Sequence, residues 1–262
     1  MDRQLWGTWA LYRAPQAVLE VHRGQAGRQG DCAVAFAISQ EVNTPMRQET
    51  IELLSRVFEE EPPDLILLET LTLIRDPTTY KTVELLQQTG IPVWLSFRRC
   101  RHGVCGVYGQ HWGPPEGDLF GRAARRFESM GVGALLINCM PIDHVAGMIA
   151  WLRDFTELPL GAYPNLGHMV GTQWHFDEHI GPAEYAQQAL SWREEGAQVI
   201  GGCCGTTPQH IAALAQAVAD TRPDGSGRWS RPSGTRTPSR RPSRRRGEIA
   251  ATERSIRFPF PR

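Results

Sequence analysis

Six short apolar runs punctuate the first 221 residues: Ala33–Ile38 (AVAFAI), Asp64–Leu68 (DLILL), Pro92–Phe97 (PVWLSF), Ala134–Asn138 (ALLIN), Leu160–Tyr163 (LGAY) and Gln198–Gly201 (QVIG). Near-continuous apolar runs of this length suit strands buried on both faces, as in a parallel sheet. Between them the pattern changes to helical amphipathicity over Arg47–Glu59, Thr79–Thr89, Leu119–Met130, Ile142–Arg153, Ala183–Glu195 and Pro208–Ala219. Repeated strand-then-helix units predict a parallel α/β architecture. That leaves two arrangements open, a doubly wound sheet and a (β/α)8 barrel. Polar and cysteine residues gather just after strand ends, which fits the C-terminal face of a barrel and also suits an open sheet. Six strands fall short of the eight in a closed barrel.

The pattern stops near Arg222. From there to Arg262 the chain is rich in Arg, Ser, Pro and Gly, with twelve arginines against three acidic residues. That net of +9 is hidden in the overall formal charge of +0, so residues 1–221 carry −9. A segment without an apolar period cannot offset the entropy of ordering it. The expected division is therefore a folded domain over 1–221 and a disordered tail over 222–262. The run Arg244-Arg245-Arg246 could bind nucleic acid without specificity. A solvated extension is the preferred reading, since the chain has one lysine, Lys81, against 27 arginines, a coding bias rather than a binding patch.

No apolar run reaches the roughly 20 residues that span a bilayer. The opening Met1-Asp2-Arg3-Gln4 lacks the apolar region of a secretory signal, so a cytoplasmic location is expected. In that setting six cysteines point to metal binding or catalysis rather than disulfides. Cys32, Cys100 and Cys105 read as bystanders. The informative segment is Gly201-Gly202-Cys203-Cys204-Gly205-Thr206-Thr207-Pro208-Gln209-His210-Ile211, which follows a strand and leads into a helix. Thr207 is placed as its N-cap and Pro208 at its first position. Flanking glycines let both thiols face one point. Cys139, in Ile137-Asn138-Cys139-Met140-Pro141, ends another strand. Three thiolates converging from two strand ends would leave a zinc ion with an open fourth position. The spacing alone gives equal weight to buried structural cysteines.

The segment GGCCGTTPQHI with an upstream INC resembles the homocysteine S-methyltransferase family, zinc-dependent barrels that methylate homocysteine to methionine. Further matches follow in order: Leu5-Trp6, Ala14–Arg23 (APQAVLEVHR), Asp64–Thr70 (DLILLET), Pro92–Phe97 and Tyr163-Pro164-Asn165. The resemblance implies a (β/α)8 TIM-barrel type of fold and Zn2+ held by Cys139, Cys203 and Cys204. It assigns Glu69 to the substrate ammonium as the catalytic-site carboxylate, with an ion pair as the structural alternative. Asn138, Asn165 and Thr206 become substrate-binding or turn-shaping residues. His144 and His210 follow the cysteine motifs but are expected on helix surfaces, because three cysteines and the substrate already fill a tetrahedral zinc.

Two departures from the family pattern qualify this reading. The DGAMGT-like opening motif is not found, and Arg23 is followed by the polar, glycine-rich GQAGRQGDC where a second strand is expected. The expectation is a barrel lacking its first two strands, about six in all, and completed, if at all, in a homo-oligomer. The implied activity is methyl transfer from a sulfonium donor such as S-methylmethionine, with betaine and S-adenosylmethionine as competing donors. The alternative is a degenerate, non-catalytic zinc-binding fragment.

Overall fold

The computed structural model describes residues 33–39, 48–72, 74, 77–105, 111–112, 119–170, 173–175 and 180–221. The expectations for Leu5-Trp6, Ala14–Arg23, Cys32 and the arginine-rich tail lie outside those residues. Six strands form one sheet: β1 (Ala35–Ser39), β2 (Leu65–Leu71), β3 (Val93–Phe97), β7 (Ala134–Pro141), β8 (Leu160–Asn165) and β11 (Val199–Ile200). They pair in that order and every pair is parallel. Strand order equal to chain order is singly wound. With right-handed crossovers it sends every connecting helix to the same face of the sheet. This removes the doubly wound arrangement among the described residues.

The strands follow from composition. From Ala134 to Met140 every residue of β7 is buried, so an alternating strand would have left polar groups without water. At the edge the pattern differs: β1 exposes Ala35 and Ala37 while Ile38 is buried. Six α-helices connect or follow the strands: α1 (Gln48–Glu60), α2 (Pro77–Gln87), α3 (Leu119–Ser129), α4 (Met148–Arg153), α5 (Pro182–Glu194) and α6 (Pro208–Val218). The clearest inward-facing apolar stripe is that of α3. In α3 the buried positions Phe120, Ala123, Ala124 and Phe127 keep the i, i+3, i+4, i+7 spacing of one helical face. Phe97 of β3 packs against Phe120 and Phe127 at ring separations of 5.4 and 5.6 Å. Arg126 lies over the Tyr80 ring of α2 at 3.7 Å, a cation–π contact joining two helices.

One expected helix is two elements. Ile142–Val145 is a 3-10 turn, Ala146 is extended, and α4 begins only at Met148. Gly147 takes the left-handed φ of 74° that reverses the chain between them, a conformation costly for any residue with a Cβ. Two small antiparallel pieces carried no periodic signal in the sequence. One is β4 (Arg99–Cys100), β5 (Gly103–Cys105) and β6 (His111–Trp112), and the other pairs β9 (His168–Val170) with β10 (Gln173–His175). Both follow C-terminal ends of sheet strands. Among the described residues no helix is long and apolar enough to cross a membrane.

Candidate metal centre

The C-terminal ends of β2 and β7 are bent out of register, and the bends aim the candidate residues. β2 slips against β3 between Leu68 and Leu71, and β7 slips against β8 between Asn138 and Pro141. Inside those bulges Thr70 has φ 60° and Cys139 has φ 52°, left-handed values for residues that carry a Cβ. Such strain costs about 1–3 kcal/mol per residue and persists only where the surroundings impose it. Asn138 supplies the restraint. It is fully buried, its amide donates to Thr70 Oγ1 at 3.0 Å, and its carbonyl accepts Thr70 N–H at 3.2 Å and the Ser96 hydroxyl at 2.7 Å. One side chain thereby ties together β2, β3 and β7 beneath Cys139.

The glycine turn is fixed from three sides. Cys203 N–H donates to Pro164 O at 3.0 Å, and Leu166 N–H donates to Cys204 O at 2.7 Å, so the end of β8 clamps the turn. Tyr185, buried in α5, donates its hydroxyl to Gly201 O at 2.6 Å. Thr206 donates to Cys203 O at 2.6 Å, and a Cβ at Gly202 would fall on the Thr206 side chain. The Thr206 hydroxyl is thus engaged in the turn itself.

The result is that Cys139, Cys203 and Cys204 place their sulfurs within 4.8 Å of one another, with Cys203 and Cys204 3.8 Å apart. Sulfurs bound to one tetrahedral zinc at about 2.3 Å are separated by about 3.8 Å, so this spacing suits a single ion. The electrostatics agree with a charge-sharing set. Cys204 is pulled down to about 3 because it accepts hydrogen bonds from Cys139 and from Cys203. Cys203 is held well above the usual thiol range by its hydrogen bonds to Cys139 and Cys204, and by burial. Cys139 is drawn down by Cys203 but raised overall by its hydrogen bond to Cys204 and by burial, while the Arg98 guanidinium pulls it back. A divalent cation bound between sulfurs this close would displace their protons.

Around the sulfurs, Glu69 lies at the end of β2, half-buried, and accepts the Tyr163 hydroxyl at 3.2 Å. Burial raises the Tyr163 phenol, with the Glu69 charge acting in the same direction, so it stays a donor. Asn165 is buried and donates to Gly167 O at 3.2 Å, but its Oδ1 has no hydrogen-bond partner among the described residues. Tyr163, Ser96 and Arg98 were given no role from sequence. Each is a polar residue at the C-terminal end of an otherwise apolar strand, which is the signal that could have found them.

The histidine expectations need correction. His210 is buried, not on a helix surface: its Nδ1 accepts Thr207 N–H at 3.2 Å, and its Nε2 lies 3.1 Å from Ile180 O. It caps its own helix and ties it to the start of α5. His144 is half-buried, with Nδ1 enclosed and without a partner among the described residues. Cys100 and Cys105, read from sequence as bystanders, are brought together with His111.

The family model described as homocysteine S-methyltransferase matches residues 24–218. Homocysteine S-methyltransferase 3 of Zea mays is 34% identical over 164 residues, covering 61% of this chain and 46% of that protein. Homocysteine S-methyltransferase of Escherichia coli is 42% identical over 87 residues, covering 32% of this chain and 27% of its own. The chain spans about half the length, or less, of the curated relatives it matches. In fold it is similar to the metallated form of the E. coli homocysteine methyltransferase MmuM, with TM-score 0.54 and 22% identity, over 78% of this chain and 68% of that one.

Proposed function

The chain belongs to the homocysteine S-methyltransferase family, and from that premise we propose that it methylates the thiol of homocysteine to give methionine, with zinc held by Cys139, Cys203 and Cys204. The observation that carries the reading is the convergence of these three sulfurs within 4.8 Å at the C-terminal end of the sheet. Sulfur donors of this kind favour zinc over magnesium or calcium. Zinc bound there would hold the substrate sulfur as a thiolate at neutral pH and keep it nucleophilic.

The chain's own residues then bind and orient. Glu69 receives the substrate ammonium through a charge-assisted hydrogen bond, with Tyr163 fixing its carboxylate. Asn165 Oδ1, without a partner among the described residues, offers a second acceptor for an ammonium N–H. Asn138 holds the bulges that aim Cys139, and Thr206 holds the turn that aims Cys203. Arg98, buried beside the sulfurs, offsets their negative charge.

A sulfonium donor suits such a site. The thiolate sulfur attacks the methyl carbon in line, the carbon–sulfonium bond breaks, and its electron pair stays on a leaving group that becomes a neutral thioether. Opposite charges disappear as the reaction proceeds, which a poorly solvated site favours, and no proton has to reach the leaving group. Among such donors S-methylmethionine is the one proposed. Betaine and S-adenosylmethionine are the competitors within the class. The sheet is read as an arc of a (β/α)8 barrel in a cytoplasmic protein.

A second reading, a family fragment that binds zinc without turnover, is favoured by the exposed alanine face of β1 at the edge of the sheet. The experiment that separates the two is methionine formation from homocysteine with each of the three donors, using folded, zinc-loaded protein. Product with S-methylmethionine is expected. No product from any donor would favour the non-catalytic reading.

A further inference from the structure

A second set of metal-type side chains lies in the loop that joins β3 to α3. Cys100 closes β4, Cys105 closes β5 and His111 opens β6, so the small antiparallel sheet brings all three together. Their ligand atoms lie within 4.8 Å of one another. Cys100 is 3% exposed and Cys105 is 0% exposed, while His111 faces solvent. Both thiols are free rather than joined in a disulfide.

Three further observations point to an ion here. First, strands of two, three and two residues make too few ladder bonds to hold a sheet by themselves. Second, the His111 ring is held in place by neighbours rather than left to rotate. It stacks on His144 at 4.4 Å with planes 17° apart, and meets the edge of His102 at 5.5 Å. Third, the enclosed Nδ1 of His144, on the ring stacked against His111, has no hydrogen-bond partner among the described residues. A water held by an ion at this site would supply one.

We propose that Cys100, Cys105 and His111 bind a second zinc ion, separate from the one assigned to Cys139, Cys203 and Cys204. Two thiolates and an imidazole are borderline-soft donors of the zinc type, and solvent completes the tetrahedron. The site differs in charge from the first. Two thiolates neutralise the dication, whereas three leave the set at −1, so this second ion lacks the excess charge that keeps a bound thiolate reactive. Its role is to fasten the loop. β4 and β5 pack against β7, and Cys105 N–H donates at 3.1 Å to the backbone oxygen of Arg98, the residue before β4. A clip on the loop therefore fixes Arg98 beside the first centre. Cys100 already accepts His102 N–H at 3.3 Å.

The test is zinc content of the full chain after equilibration in zinc-buffered solution, for wild type, His111→Ala and Cys203→Ser. His111 is exposed, so its replacement leaves the core intact, and a thermal melt of each variant checks this. The proposal expects about two zinc ions in wild type and about one in each variant, lost from different sites. Equal zinc in wild type and His111→Ala would overturn it. So would a linked Cys100–Cys105 peptide pair seen by mass spectrometry of protein purified without reductant. If Cys203→Ser loses zinc and His111→Ala does not, this inference fails while the first site stands.

Discussion

Glu69 and Tyr163 share a hydrogen bond of 3.2 Å at the mouth of the sulfur set, yet contribute no sulfur to it. Their substitution should therefore separate substrate binding from metal binding. A charge-assisted hydrogen bond is worth about 1.5–3 kcal/mol, so Glu69→Gln is expected to lower kcat/KM for homocysteine roughly 10- to 150-fold. Tyr163→Phe removes only a neutral donor and should cost roughly 2- to 10-fold. Steady-state kinetics beside metal analysis checks both, with zinc content unchanged in each. Zinc lost from Glu69→Gln would mean that the carboxylate supports the metal set instead. The convergence of Cys139 with the glycine-flanked Cys203-Cys204 pair was expected from sequence and is what the structure places together. The hydrogen-bond partners were not. Nothing in a one-dimensional pattern says that Asn138 reaches Thr70 across 68 positions, or that Asn165 Oδ1 is left without a donor among the described residues.

At the scale of elements, the least ordinary feature is the break between the 3-10 turn and α4. The short helix cannot satisfy its first N–H groups internally, and Glu195, just past the end of α5, does so from a distance. Its carboxylate accepts Gly147 N–H at 2.7 Å and Ile149 N–H at 3.2 Å. Removing the cap in Glu195→Ala should destabilise the protein by about 1–2 kcal/mol, read as a lower urea midpoint. The same carboxyl is pushed above the usual carboxylate range by burial, although the backbone N–H groups pull it back down. A raised folded value means that the folded state binds the proton more tightly than the unfolded chain. Wild-type stability relative to Glu195→Gln should then fall as pH rises through that folded value, and denaturation at several pH values measures it. The single helix expected over Ile142–Arg153 failed at Gly147 because amphipathic spacing continues across the break. The strands of β4, β5 and β6 escaped notice for a related reason, since two or three residues are too few to carry a period.

At the scale of the whole molecule, six parallel strands alternating with helices were legible among the described residues because each strand is a short apolar run set between amphipathic stretches. Every expected run overlaps an observed strand, and the differences lie at the ends: β2 and β7 run on through bulges, β8 runs on to Asn165, β1 is Ala35–Ser39 and β11 keeps only Val199–Ile200. Patterning could not choose between a doubly wound sheet and a singly wound one, because both bury their strands alike; pairing order decides it. The architecture has one functional consequence. A parallel sheet turns the C-terminal ends of β2, β7, β8 and β11 to one side, where Glu69 and Tyr163 meet across 94 positions. The central claim is that Cys139, Cys203 and Cys204 hold one ion at that meeting point. The most direct measurement is zinc per chain in wild type and in Cys203→Ser, purified and equilibrated identically. The account predicts that the variant binds about one zinc fewer. Equal zinc in the two proteins would contradict it.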